Sequence, residues 1–492
     1  MFEFEWAQKI GLLIRKQSYP GYGTGVAPFT LFPSPFPRKF YEQAVNVQTA
    51  LNLLYFRIMR DYPFLKEIYQ KLIKFDQTLS TALKIMEEIH SEGIKQPLTV
   101  LFQRADYMLC ESNYEGNENP SYELKQVEVN GSAIGGLGFA TKTSKLHQQI
   151  LSEMGLDLSN SVENNTRTMA VEAIYQAWQK FGDPKAIIIL IFDERYAFFF
   201  YERSNLYFEL KNKFEGQTEI VALNLNQCAK LLKLDPHDFT LRYDDKIVAV
   251  VFNQETMISA DTKKMEARRT IERSTAIKAP SLAAALAHTK KVQQVLAKPG
   301  MVERFFPNPE EAPLIDAIRN TYVNFWTVEE DNNEYTQIIQ AVKKNPHNFV
   351  LKKTEYALNN QNLNPIYFGE EIVKSIANFT PPEPYILMEK LQSTIVKNHI
   401  VKTMFDTKQN VPTIFDIVVK TIFDKKKNVP PSILEDVTPE LGIFGTLLGN
   451  IVDGQVLHNA QMGSKIKTKL ASENEGGLDR GQSAYDSAYL VD

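Results

Sequence analysis

Cysteine is nearly absent from this chain. Cys110 and Cys228 are the two in 492 residues, which excludes a disulfide framework and argues against cysteine-ligated zinc. The seven histidines are scattered, with no HExxH and no close pair, so no transition-metal site is visible. An excess of one charge is missing too. The formal net charge of −4 gives no electrostatic case for nucleic acid or an anionic membrane as partner. No run approaches the roughly 20 apolar residues of a membrane span. The start, MFEFEWAQKIGLLIRKQ, carries Glu3 and Glu5 early and has no uninterrupted apolar stretch, so it does not read as a secretory signal. Cytoplasmic is the default expectation; a secreted protein whose signal had been removed would begin the same way. There is no GxxxxGK[ST], no GxGxxG at Gly131–Gly138 and no GxSxG, which removes the common phosphate-loop, dinucleotide and hydrolase readings.

What is present is an ordinary globular composition, 43% hydrophobic and 23% charged, long enough for one large or two to three coupled domains. An amphipathic helix is expected around Trp6–Lys16. The Pro/Gly/Phe-rich passage Tyr19–Pro37 is expected to lack regular structure and wrap a surface. Helical spacing covers Lys39–Arg60, Tyr62–Glu92, Asn165–Phe181, Ala260–Arg273 and Leu282–Leu296. Strands are expected at Leu98–Met108, Glu123–Asn130, the apolar run Ala186–Phe200, Lys246–Phe252, Phe349–Lys352 and Tyr385–Glu389. Mixed elements of this kind predict an α/β or α+β architecture. VKTMFDTKQNVP from Val401 and VKTIFDKKKNVP from Val419 agree at nine of twelve positions. One duplication cannot build a solenoid, so it reads as an insertion lengthening a surface element.

The most informative stretch is Leu124–Gly138, LKQVEVNGSAIGGLG. Val127 and Val129 alternate with Gln126, Glu128 and Asn130, the period of a strand with one polar face. Glu128 and Asn130 then offer a carboxylate and an amide oxygen on the same side, suited to a hard cation such as Mg²⁺. The glycines that follow let backbone approach a ligand. A solvated edge strand with a glycine turn fits the same residues. Lys290 and Lys291 lie on an expected helix, where paired lysines commonly mark a solvated face. Lys352 ends FVLK and Glu389 ends YILME, so a cation and an acid emerge from two buried strands. They could grip phosphate and a metal or ribose, but spacing alone does not make them converge.

Several longer segments carry a resemblance. FPSPFPRKFYEQAVNVQTALNLLYFRI, DYM followed by LKQVEVN and GGLG, ERSTAIKAPSLAAALAHTKKVQQVLAKPGMVE, FVLK, YILMEK, ELGIFG and a late KTK occur in this order. Together they resemble eukaryotic glutathione synthetase over nearly the whole chain. The resemblance implies a mixed α/β ATP-grasp fold, with an N-terminal helical part and core over 1–181, an inserted substrate-binding domain over 182–290, and core and lid over 291–492, including the duplication at 401–436. It implies a homodimer, and a nucleotide plus a small peptide or amino acid as partners. It also implies ATP and Mg²⁺: ATP phosphorylates the γ-glutamylcysteine carboxylate and glycine attacks the acyl phosphate. By the same resemblance Glu128, Asn130 and Glu355 match metal ligands. Lys290, Lys352 and Lys469 match nucleotide-gripping lysines, and Met388 and Glu389 match the adenine and ribose pocket.

The resemblance also exposes departures. The family's KPQREGGGNN reads KKTEYALNN at Lys352–Asn360, so Tyr356, Ala357 and Leu358 replace the triple glycine of the lid, and Gln361–Ile366 looks inserted. On the substrate side, the family's polar ERN…Q cluster falls on Tyr196, Ala197, Phe198 and Glu202. Its arginine and tyrosine in YFRDGY fall on Asn253 and Thr256. The turn after Asn130 is about two residues shorter than the family's, and Ser132 is the only candidate for its substrate serines. Lys467 stands for an arginine, and Asp479 and Arg480 project where small residues are the rule. Arg104 keeps the position of a substrate-contacting arginine. Two expectations follow. One is a glutathione synthetase-like ATP-dependent ligase of reduced or shifted activity. The other is a catalytically lost paralogue acting as an effector or binding protein, as in secreted effectors of plant-parasitic nematodes.

Overall fold

A computed structural model describes residues 2–18, 21–112, 121–131, 135–192, 197–255, 259–328, 333–353, 366–377, 385–401, 434–474, 476–478 and 482–492. The elements that build the site are α1 (Arg38–Arg60), β1 (Leu98–Ser112), β2 (Ser121–Asn130), α2 (Leu137–Glu153), α3 (Thr166–Phe181), α4 (Phe200–Phe214), α5 (Lys290–Ala297), β3 (Phe349–Lys353), β4 (Tyr385–Glu389), β5 (Glu435–Asn450), β6 (Val456–Leu470) and β7 (Ser483–Asp486). Among the described residues no helix is long and apolar enough to cross a membrane.

One large mixed sheet organises the chain, in keeping with the expected α/β class. Its antiparallel half runs β7–β6–β5–β1, with β2 hydrogen-bonded to β1. Its parallel half continues from β1 through Ile277–Ala279 and Lys246–Asn253 to Ile187–Ile191 and Ile220–Leu223. Crossover helices α3 and α4 cover that half. The strand Ile187–Ile191 is buried throughout, as an unbroken aliphatic run in a covered parallel sheet should be. A separate four-stranded antiparallel sheet contains β3 and β4. The main core lies between α1 and the antiparallel half, where Leu51, Leu54, Phe56 and Ile58 pack with Leu101, Ala105, Leu441 and Ile443.

Four local expectations change. The first helix stops at Lys9; Gly11 takes φ +72°, and Leu13–Ser18 pairs with Gly21–Val26 as a hairpin. Leu12 and Ile14 are buried while Leu13 and Arg15 are not, a period of two that overrides the helical reading. The proline-rich passage is accordingly partly regular, with strands at Gly21–Val26, Phe29–Thr30 and Ser34–Pro37. These prolines sit on edge or near-edge strands, where their missing N–H costs no ladder bond. The run at Ala186–Phe200 is a strand only to Ile191 and then turns into α4. Glu202, Leu206, Leu210 and Phe214 are buried at intervals of four, a helical stripe that aromatic richness had disguised. Tyr62–Glu92 and Leu282–Leu296 each split in two. Asp76 caps the second helix of the first pair through Thr78 and Leu79, and Thr289 caps α5 through Val292. Capping side chains of this kind start a new helix. The break at Thr289 puts Lys290 at the first position of α5.

Candidate active site

The site grows from strand register. On β2, β1, β5 and β6 the residues Glu128, Asp106, Gly442 and Lys465 stand directly opposite one another across the sheet. Alternation then places Asn130, Arg104, Glu440, Lys467 and Lys469 on the same face. Gly442 is required for this row: a Cβ there would lie 2.6 Å from Asp106 Oδ1 and 3.0 Å from Arg104 Cδ. Its bare backbone leaves room for the paired side chains of β1.

Arg104 grips Asp106 with both arms, Nε to Oδ1 at 2.6 Å and Nη2 to Oδ2 at 2.7 Å, while Nη1 donates to Gly135 O at 3.2 Å. The Asn130 amide nitrogen donates to Asp106 Oδ2 at 2.9 Å and to Glu128 Oε1 at 3.2 Å. That spends the NH₂ group on protein, and Oδ1 has no donor among the described residues. Lys290 reaches across from α5 to Glu128 Oε2 at 2.6 Å, and Lys467 holds Glu440 Oε1 at 2.6 Å. Lys352, at the end of β3, lies within electrostatic reach of Lys290, Glu128, Glu440 and Lys467. Two lysines, Lys352 and Lys465, have no ion-pair partner among the described residues.

The protonation states follow. Lys290, reinforced by Lys352 and Lys467, holds the Glu128 carboxyl well below the usual carboxylate range. Burial pulls Lys352 down to about 8, helped by the like charge of Lys290. Burial pulls Lys465 down to about 7, helped by Arg104. On Lys467 burial is the strongest influence and acts in the same sense, but Glu440, Asp106 and Glu128 together outweigh it and its value is raised. Uncompensated ammonium groups out of water are costly, so the face demands anions. Cys110 and Cys228 are free thiols pushed up to about 12 by burial, and neither is an activated nucleophile. His288 is pulled down to about 4 by burial and is stacked on Tyr55 with ring centroids 4.2 Å apart, a neutral core residue.

Of the expected residues, Arg104, Glu128, Asn130, Lys290, Lys352 and Lys467 meet in one cluster. Lys469 lies at its margin, donating to Asn474 O at 3.0 Å and to Glu473 O. Met388 is buried in β4, and Glu389 Oε2 accepts from Asn324 Nδ2 at 2.8 Å. Phe198 belongs to an aromatic group with Phe139, Phe199 and Tyr485. Asn253 is buried and donates to Glu255 O at 2.9 Å, so its amide is spent inside the fold. Glu202 caps the first turn of α2. Ser132, Tyr196, Glu355, Asp479, Arg480 and most of the duplication, 402–433, lie outside the described residues. Sequence reasoning did not single out Asp106, Glu440 and Lys465. Asp106 and Glu440 sit inside DYM and ELGIFG without a spacing signal. Lys465 did have one, the lysine alternation in SKIKTKL.

The sequence profile of the eukaryotic glutathione synthase ATP-binding domain matches residues 3–490. The chain belongs to the eukaryotic glutathione synthetase family. Glutathione synthetase from Bos taurus is 29% identical over 98% of this chain and 94% of its own length. The chloroplastic glutathione synthetase of Arabidopsis thaliana is 27% identical over 99% of this chain and 84% of its own. Among solved structures, a glutathione synthetase-like effector from Globodera pallida, in its apo form, superimposes with a TM-score of 0.75. It is 34% identical and covers 100% of this chain and 96% of that one. The fold is thus the glutathione synthetase fold that the motifs implied.

Proposed function

We propose that this glutathione synthetase family member is an ATP-dependent ligase. It would join γ-glutamylcysteine, or an altered γ-glutamyl or acyl donor, to glycine or another amine through an acyl phosphate. The observation that carries the reading is the convergence of Glu128, Asn130, Lys290, Lys352 and Lys467 on one face, with an anion deficit at Lys352. In such a reaction a donor carboxylate oxygen attacks the γ-phosphorus of ATP and ADP leaves. The amine then attacks the acyl carbon, phosphate leaves, and the amine gives up a proton. The chain's task is to collect negative charge in one place and keep water away.

Lys352 and Lys290 would grip phosphate oxygens, and Lys469 the outer phosphates or base. Met388 and Glu389 would border the adenine and ribose. Arg104, already fixed by Asp106 and Gly135 O, would aim the remaining N–H groups of its two Nη atoms at the donor carboxylate. The residues fit magnesium: Asn130 offers Oδ1, and each Glu128 oxygen keeps a second lone pair after its hydrogen bond. A magnesium ion commonly takes one or two such ligands and shares the rest with phosphate. When bound it would neutralise charge on the transferring phosphoryl group. Glu355 would be a third ligand, and a homodimer is the assembly in keeping with the family.

A second reading, an effector or binding protein without turnover, is favoured by the likeness to the Globodera pallida effector. ADP release with Mg-ATP, γ-glutamylcysteine and glycine separates the two. Donor-dependent release supports the ligase. If no γ-glutamyl or acyl donor and no amine raises ADP release above the ATP-only background, the second reading stands instead.

A further inference from the structure

Lys290 reaches Glu128 from the first turn of a helix whose start is fixed behind the polar face. The cap at Thr289 that begins α5 follows directly on His288, the residue ending the helix Leu282–Ala287. The Thr289 hydroxyl accepts from Val292 N at 3.2 Å and lies 2.5 Å from the Tyr69 hydroxyl, which donates to Leu286 O at 2.6 Å. The chain is thus held on both sides of His288. The imidazole lies against Gly131, the residue after Asn130 at the end of β2.

Gly131 is a glycine for reasons of space. Its φ is not positive, so its backbone conformation does not itself call for glycine. A Cβ there would run into Cγ, Nδ1 and Cδ2 of the His288 ring. Both residues are buried. At this position of the glycine turn, the close approach that a missing side chain permits is made by an imidazole of the same chain.

The ring has little freedom. One face stacks on Tyr55. Nδ1 is 2.7 Å from Ala284 O and Nε2 is 2.9 Å from Gln103 Oε1; the single N–H of a neutral imidazole serves one of these oxygens at a time. Gln103 precedes Arg104 on β1, so its side chain turns to the opposite face of the sheet. Its Nε2 donates to Asn52 Oδ1 at 2.8 Å, and Asn52, on α1, donates to Thr446 O at 3.2 Å and Ala460 O at 3.1 Å. A second glycine makes room for this amide: a Cβ on Gly445 would run into Asn52 Oδ1. Gln293 closes the arrangement. Its Nε2 donates to Val129 O at 2.9 Å and to His288 O at 3.4 Å. It ties the backbone between Glu128 and Asn130 to the residue two before Lys290. A buried, close-packed support of this kind passes a change in one member on to the next.

We propose that His288 is a positioning residue: its ring, seated in the space left by Gly131, sets how Lys290 stands relative to Glu128 and Asn130. The inference rests on the ligase reading, which puts nucleotide phosphates and magnesium at those three residues. His288 touches neither and moves no proton. It acts through the end of β2 on one side and the start of α5 on the other.

Titration calorimetry on the full chain, with Mg²⁺ and a non-hydrolysable ATP analogue, tests this at a temperature where melting curves show every variant folded. His288→Ala should weaken binding about ten-fold or more, the usual scale for losing a side chain that orients a metal ligand. His288→Asn, which keeps a donor on a short polar side chain, should lose less. Gly131→Ala should also weaken binding about ten-fold, because its methyl group displaces the ring. In the His288→Ala background the same change should cost less than about two-fold, since residues in contact are not additive. The proposal falls if His288→Ala or Gly131→Ala lowers only the melting midpoint and keeps affinity within about two-fold of wild type. It falls too if Gly131→Ala costs as much without the ring as with it. A wild type that binds no nucleotide overturns the ligase reading and this inference with it. Wild-type binding that the variants leave intact overturns this inference alone.

Discussion

The two ends of one polar face differ in how they settle their charges. At the β2 end, Lys290 has Glu128, Arg104 has Asp106, and Lys467 has Glu440, all at 2.6 Å. Lys352 has no ion-pair partner there among the described residues. At the α2 end, Lys465 and Glu202 Oε2 are both buried, and neither is satisfied within the described chain. The first end is a nearly finished electrostatic device that needs one polyanion. The second is a pair of open valences. The residues proposed for metal and phosphate gather at the first end. At the second, Glu202, which the resemblance aligns with a substrate cluster, reaches the sheet. The two ends rest on different elements: β1, β2 and α5 for one, α2, α4 and β6 for the other; under the proposed function one could be kept while the other is rebuilt.

The sharpest way to break this contrast is to unpair the finished end. Lys290→Met leaves Glu128 without its cation. Truncating one partner of a close charge pair costs about 2–5 kcal/mol, so kcat/KM for ADP release should fall by about two orders of magnitude. A loss below three-fold would remove Lys290 from the phosphate site. Next in size, Asp106→Ala strands Arg104 in a buried place. Removing one partner from a buried pair costs about 3–5 kcal/mol, which urea unfolding should register as a lower midpoint. A stability unchanged within error would mean that Arg104 reaches solvent. Smaller again, Gly442→Ala should cost about 1–3 kcal/mol by overpacking, because its Cβ would meet Asp106 Oδ1. Activity should drop with it if Arg104 is pushed aside.

The pH dependence tests direction rather than size. Folded Lys352 and Lys465 lose protons near 8 and 7, below their ordinary 10.5. The unfolded chain then holds more protons between about pH 7 and 10, so stability should rise with pH across that window. Lys465→Met and Lys352→Met should each flatten the slope of urea midpoint against pH. Glu128 acts oppositely. Its depressed carboxyl contributes stability above its unfolded value, and that contribution is lost as pH falls through the folded one.

How legible the molecule was in its sequence depended on period and on pairing. The polar face of β2 was readable because Glu128 and Asn130 alternate with Val127 and Val129, and strand end Lys352 was readable because FVLK is a short apolar run. Convergence was not, since it is made by register: Glu128, Asp106, Gly442 and Lys465 are opposite one another only after β1, β5 and β6 have paired. The resemblance supplied what spacing could not, the joint role proposed for Lys290 and Lys352. The aromatic run before α4 misled, because its buried stripe of Glu202, Leu206, Leu210 and Phe214 starts with a charge. Lys465 escaped notice because a lysine in a K-x-K-x-K strand reads as a solvated edge until both neighbouring strands bury it.

The contrast stands on the finished end being a nucleotide site. Thermal unfolding with and without millimolar Mg-ATP tests that most directly, because a ligand at 100 times its Kd adds about 2.7 kcal/mol to the folded state. The midpoint should rise by several degrees in the wild type, rise equally in Lys465→Met, and rise little in Lys352→Met. An unchanged wild-type midpoint at millimolar Mg-ATP would contradict the account.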